Sequence, residues 1–151
     1  MKYSNIFDSH THSIHSFDGN HSCNALCDGA IEHGAIGIAI TDHCDIDMKD
    51  FEPENFAKVQ FADVTKTQTE YKDKLQVLHG IELGQGIFNK SLSEKILSDY
   101  KYDFVLGSIH NLKGLDDFYF LDYKQYNIKQ LLNQYFEAEL ELAEWGNFDS
   151  L

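Results

Sequence analysis

The stretch Phe7-Asp8-Ser9-His10-Thr11-His12 carries two histidines one residue apart behind an aspartate. On an extended strand, residues two apart point to the same side, so Asp8, His10 and His12 share a face and the two imidazoles converge. Neutral imidazole ligates zinc, iron and manganese, and a nearby carboxylate can orient a ligating ring by accepting its other N–H. His10 and His12 read as metal ligands and Asp8 as the orienting group. An isolated His-x-His is also what two solvent-facing histidines look like. The weight of the motif therefore rests on the rest of the chain.

Three more segments end an apolar run on a group able to bind metal. Ala35 to Ile40 is short and continuously apolar, as in a strand buried on both faces, and runs into Thr41-Asp42-His43. Leu75 to Ile81 ends at Glu82, and Phe104 to Ile109 ends at His110. Between these strands lie helical patterns. Ser22 offers an N-cap to a helix with Ala25, Leu26, Ala30 and Ile31, closed by Gly34. Asn55 to about Lys74, Ser91 to Tyr100 and Asn127 to Trp145 follow, the last terminated by Gly146. Asp149-Ser150-Leu151 reads as the opening of another strand.

Alternating strands and helices predict an α/β fold of parallel βα units with right-handed crossovers. In a parallel barrel the strand C-termini gather on one face, where catalytic groups collect. That arrangement brings His10, His12, His43, Glu82 and His110 to a common rim. Asp42 would orient a ligand, relay a proton as a catalytic residue, or only support the neighbouring metal-binding His43. His15 and His21 read as solvated loop histidines, and His79, out of phase with Glu82 on a strand, as a packing or hydrogen-bonding residue. His33 falls at a helix C-terminus, where its cation suits the dipole. Cys23 and Cys27, four apart, can share a helix face and read as ordinary buried or half-buried thiols, a metal-binding pair being the alternative.

The totals narrow the classes. The 151 residues suffice for one domain with a sizeable core. A net charge of -13 would repel a phosphate backbone, so nucleic acid is not an expected partner. Met1 to Asn5 lacks the apolar segment of a leader peptide, no apolar run approaches the ~20 residues of a membrane span, and three cysteines make no disulfide framework. A cytoplasmic protein without membrane contact is expected.

Together, Asp8-Ser9-His10-Thr11-His12, Ser16-Phe17-Asp18-Gly19, Thr41-Asp42-His43, Gly80-Ile81-Glu82 and Gly107-Ser108-Ile109-His110 resemble the ordered motifs of the polymerase and histidinol phosphatase (PHP) family of metal-dependent phosphoesterases. Within it, Gly80 to Gln85, Gly107 to Leu112 and Asp117 to Phe120 are most similar to histidinol-phosphatases. The resemblance implies the N-terminal part of a distorted TIM-like barrel of seven βα units and up to three divalent ions, zinc, manganese or iron. It implies that His10, His12 and Glu82 bind the first ion, Glu82 and His110 the second, and Asp18 and His43 the third. The implied activity is hydrolysis of L-histidinol phosphate in histidine biosynthesis, a small phosphorylated metabolite being the partner. A different PHP phosphatase, acting on a nucleotide, sugar phosphate or phosphotyrosine, and a non-catalytic metal-binding or interaction module are the alternatives. The family's further His motif and late Asp-x-His motif have no counterpart here, and all 12 basic residues are lysines, leaving no guanidinium for phosphate. A truncated barrel with weak or absent activity by itself, and a tendency to self-associate, is the resulting expectation.

Overall fold

The computed structural model describes residues 5–151, so the leader-peptide reading of Met1 to Asn5 falls mostly outside the described residues. Among the described residues, five strands and four α-helices follow one another along the chain. They are β1 (Phe7–Thr11), α1 (Cys23–Glu32), β2 (Gly37–Ile40), β3 (His43–Asp45), α2 (Pro53–Tyr71), β4 (Gln76–Gly84), α3 (Lys90–Asp99), β5 (Phe104–Ser108) and α4 (Ile128–Trp145). Every ladder is parallel, as the strand and helix alternation predicts.

The sheet runs β1, then β2 and β3, then β4, then β5. β2 and β3 are two segments of one strand. Gly37 stands opposite Gln76 and Ile40 opposite His79, and the same register resumes with His43 opposite Glu82 and Asp45 opposite Gly84. Only Thr41 and Asp42 interrupt it, and even there Glu82 N–H donates to the Asp42 carbonyl at 3.0 Å. The strand thus continues past the point where its apolar run stops. β4 likewise extends through Glu82 to Gly84, so Glu82 lies inside a strand and not just beyond its end.

Helix ends follow local chemistry. Ser22 Oγ accepts from Ala25 N–H at 3.2 Å, and Asn89 and Asn127 cap α3 and α4 in the same way. At the C-terminus of α4, Gly146 takes the left-handed conformation (φ 64°) and its N–H reaches the Leu142 carbonyl. α2 has no side-chain cap and starts on Pro53, whose missing N–H costs nothing in a first turn.

The helices cover the outer face of the sheet. Cys23 and Cys27 of α1 and Val64 and Tyr71 of α2 pack on Ile38, Ile40 and Val77, both cysteines being buried free thiols as expected. Ala57 and Ile96 pack on Cys44, Ile81 and Leu83, and Leu142 of α4 closes on Ile87 and Ile109. At the far edge Asp149 and Ser150 begin a further pairing. Leu106 and Ser150 form an isolated parallel bridge, with Gly107 N–H donating to the Ser150 carbonyl at 2.8 Å. Among the described residues, no helix is long and apolar enough to cross a membrane.

Candidate metal centre

Strand parity decides which side chains of β4 face the rim. Val77, Ile81 and Leu83 join the helix-facing core, and Glu82, of opposite parity, turns to the other face between Gly80 and Gly84. His79 shares the outward parity. Its Nε2 lies 3.0 Å from Gln60 Oε1 and its ring centroid is 4.1 Å from that of Phe61 at a 33° tilt, so it packs and hydrogen-bonds away from the rim.

Glu82 is the hub. Its Oε2 is 3.1 Å from His12 Nε2, 3.1 Å from His43 Nδ1 and 3.7 Å from His10 Nε2, and its Oε1 is 3.0 Å from His110 Nε2. Asp18 approaches from the loop after β1, 3.0 Å from His12 Nδ1 and 3.6 Å from His43 Nε2. All six residues singled out as metal ligands in the sequence meet here. They form three overlapping triads: His10, His12 and Glu82; His12, Asp18 and His43; and His43, Glu82 and His110.

Two expectations change in detail. Asp8 is exposed and accepts the backbone N–H of His10 at 3.3 Å, so it braces the strand and does not orient a ring. Asp42 is fully buried. Its Oδ1 accepts from Ser13 N–H (2.6 Å) and Ser16 Oγ (2.9 Å), and its Oδ2 from Ser13 Oγ (2.9 Å) and Gln60 Nε2 (3.4 Å). With both oxygens occupied, Asp42 anchors the loop that carries Asp18. Ser16 Oγ also accepts from His43 N–H at 3.0 Å, tying that loop to β3.

Asp45 and Gln85 also belong to the site, although neither was among the expected site residues. Asp45 Oδ1 lies 2.8 Å from His110 Nδ1, which leaves Nε2 of that ring aimed at Glu82. Gln85 is buried in a left-handed conformation (φ 53°), and its correctly oriented amide donates to Asp45 Oδ1 at 2.8 Å while accepting from His110 and Asn111 N–H at 3.1 Å. The available signal was the Asp two residues after His43, in phase with it on a strand. His15 also departs from expectation: its side chain is only 17% exposed and pairs with Asp63 at 3.0 Å. His21 is exposed, and His33 is the C-terminal cap residue of α1.

The electrostatics describe a site short of positive charge. Burial opposes ionisation of Glu82, yet the nearby imidazoles of His110 and His12 hold its carboxyl far below the usual range. Burial works to lower His110, but Asp45 and Glu82 outweigh it and raise the pKa to about 10. Burial also works against the His12 cation, which Glu82 and Asp18 more than offset, whereas burial prevails at His10 and lowers it. Three buried atoms at the centre, His12 Nε2, His43 Nδ1 and Glu82 Oε2, make no hydrogen bond despite their 3.1 Å separations. Their lone pairs face a shared space. Imidazoles and carboxylates with unpartnered atoms converging in this way fit divalent cations of the zinc, manganese or iron class.

Residues 8–151 match the model of the PHP domain. The chain belongs to the PHP family. It is 33% identical over 138 residues to a probable histidinol-phosphatase of Clostridium acetobutylicum, covering 89% of this chain and 51% of that protein. A histidinol-phosphatase of Lactococcus lactis is 26% identical over 144 residues, with 95% and 53% covered. The crystal structure of histidinol phosphate phosphatase from Lactococcus lactis, complexed with zinc, L-histidinol and phosphate, superposes with a TM-score of 0.81 at 25% identity, over 97% of this chain and 57% of that one. The parallel strands and alternating helices are thus a partial TIM-like PHP barrel. The chain spans about half the length of the curated relatives it matches.

Proposed function

We propose that this PHP chain supplies the metal-holding half of a phosphomonoesterase site whose substrate is L-histidinol phosphate, giving L-histidinol and phosphate in histidine biosynthesis. The observation that carries the reading is the set of unpartnered buried atoms of His12, His43 and Glu82 at the meeting point of six ligand-type residues. The histidinol-phosphatases among its relatives support the substrate. His10, His12 and Glu82 would hold one ion, Glu82 and His110 a second, and Asp18 and His43 a third. Such ions supply charge neutralisation at a phosphoryl group and a nucleophile effective near neutral pH.

The chain's own residues do the positioning. Glu82, buried and ionised, presents Oε2 to His10, His12 and His43 and Oε1 to His110. Asp45, steadied by Gln85, fixes the tautomer of His110 so that Nε2 faces inward. Asp42 acts through the loop, holding Ser13 and Ser16 so that Asp18 reaches His12 and His43. With lysine its only strongly basic residue type, the chain offers no bidentate fork to phosphate, so oxygen recognition falls to the ions and to N–H donors.

Phosphate release tests the substrate. With manganese or zinc added, the weak release expected of the chain by itself is faster from L-histidinol phosphate than from a nucleoside monophosphate, a sugar phosphate or phosphotyrosine, and a chelator stops it. Faster release from one of those competitors would replace the substrate assignment and leave the family intact.

A further inference from the structure

Away from the rim, His15, Cys23 and Asp63 bring an imidazole, a thiol and a carboxylate to one spot from three parts of the chain. His15 lies in the loop between β1 and α1, Cys23 opens α1, and Asp63 sits midway along α2. His15 Nε2 is 3.0 Å from Asp63 Oδ2, and Cys23 Sγ donates to the same oxygen at 3.5 Å. One ligand atom from each residue lies within 4.8 Å of the other two. Cys23 is 1% exposed, whereas the Asp63 side chain is 39% exposed, so the cluster is closed on the protein side and open to water on the other.

We infer that His15, Cys23 and Asp63 form a separate site for a divalent cation of the zinc class, with solvent in the fourth position. Tetrahedral zinc has bonds of about 2.0–2.1 Å to nitrogen and oxygen and roughly 2.3 Å to sulfur, which sets neighbouring ligand atoms ~3.4–3.6 Å apart. The sulfur to oxygen separation of 3.5 Å already has that value, the nitrogen to oxygen separation of 3.0 Å must open by a few tenths of an ångström, and sulfur and nitrogen lie within 4.8 Å of each other. A thiolate, imidazole and carboxylate set favours zinc over the harder magnesium or calcium. Burial pushes the Cys23 thiol up to about 12, so the cation takes the place of its proton on binding. The bound ion would clamp the β1–α1 loop to both helices at His15, between Ser13 and Ser16, and three residues ahead of Asp18. This inference does not depend on the phosphatase reading.

Cobalt(II) loaded in place of zinc reports sulfur directly, because a thiolate ligand gives a charge-transfer band in the near ultraviolet and the six rim residues contain no sulfur. The band is expected in the intact chain and in Glu82→Gln, absent in Cys23→Ser, and weaker in Asp63→Asn, whose shape is conserved. Zinc content should fall by one ion per chain in Cys23→Ser while the remaining ions stay. No thiolate band in the intact chain, a band that survives Cys23→Ser, or zinc content that ignores both substitutions would leave a hydrogen-bonded triad only and overturn the site.

Discussion

Asp42 and Glu82 are both buried carboxylates, and their surroundings give them different tasks. Asp42 has hydrogen-bond donors on both oxygens, from two serines and Gln60, whereas Glu82 Oε2 faces histidine nitrogens without a hydrogen bond. Asp42→Asn replaces an acceptor oxygen with a donor amide before two hydroxyls and a backbone N–H, and is expected to cost about 2 kcal/mol. Urea denaturation measures this; an unchanged midpoint with lost turnover would give Asp42 a direct part in the reaction instead. His79 makes a pH prediction. Burial lowers its pKa from 6.5 to about 4, so as pH falls through this window the unfolded chain takes up the proton first and stability drops. The loss attributable to His79 approaches ~3 kcal/mol at the acid end, since each pKa unit is worth about 1.4 kcal/mol. His79→Gln should flatten the stability profile between those values; an identical acid slope in the two proteins would contradict it. At this scale His10, His12, His43, Glu82 and His110 were legible from type, order and strand position, and Asp18, in a loop, through the family resemblance alone. Asp45 and Gln85 were not, because their role is fixed by a cross-strand contact to His110 that no local pattern announces.

Among the elements, the helices declared themselves through their caps. Ser22, Asn127 and Gly146 each do at the helix end what their side chain or lack of one favours. β3 escaped notice because three residues bearing an imidazole and a carboxylate carry no apolar period. The far end of β4 escaped for a related reason: Glu82 and Gly84 break the apolar run while the backbone ladder goes on. Gly84 shows why that end is built so. An added Cβ would overlap Asp45 Oδ1 and press on His110 Nδ1 at 3.2 Å. Gly84→Ala is therefore expected to separate Asp45 from His110, costing about 1–3 kcal/mol by overpacking and lowering metal content at the His43 and His110 side. Denaturation and elemental analysis of one preparation check both effects, and retention of full metal content would show that Asp45 need not hold His110.

The whole molecule is an open arc of parallel strands, with a short bridge at Ser150 on its last edge. α4 leaves Ile128, Leu132, Phe136 and Leu140 exposed at four-residue intervals, a continuous apolar stripe. Association of the chain through this stripe is expected at raised concentration, and Phe136→Glu should shift sedimentation toward the monomer; identical profiles would exonerate the stripe. The barrel class was legible because the βα period repeats along the whole chain, whereas the covering of this face depends on contacts that a period does not encode. What unites rim and barrel is Glu82, placed by strand parity where two ligand triads overlap. The most direct measurement is the divalent metal content of the purified chain beside that of Glu82→Gln. A bridging Glu82 predicts coupled losses at two rim sites, with the fold retained by circular dichroism. Unchanged stoichiometry would contradict the bridge, and with it the account of the rim as a shared metal centre.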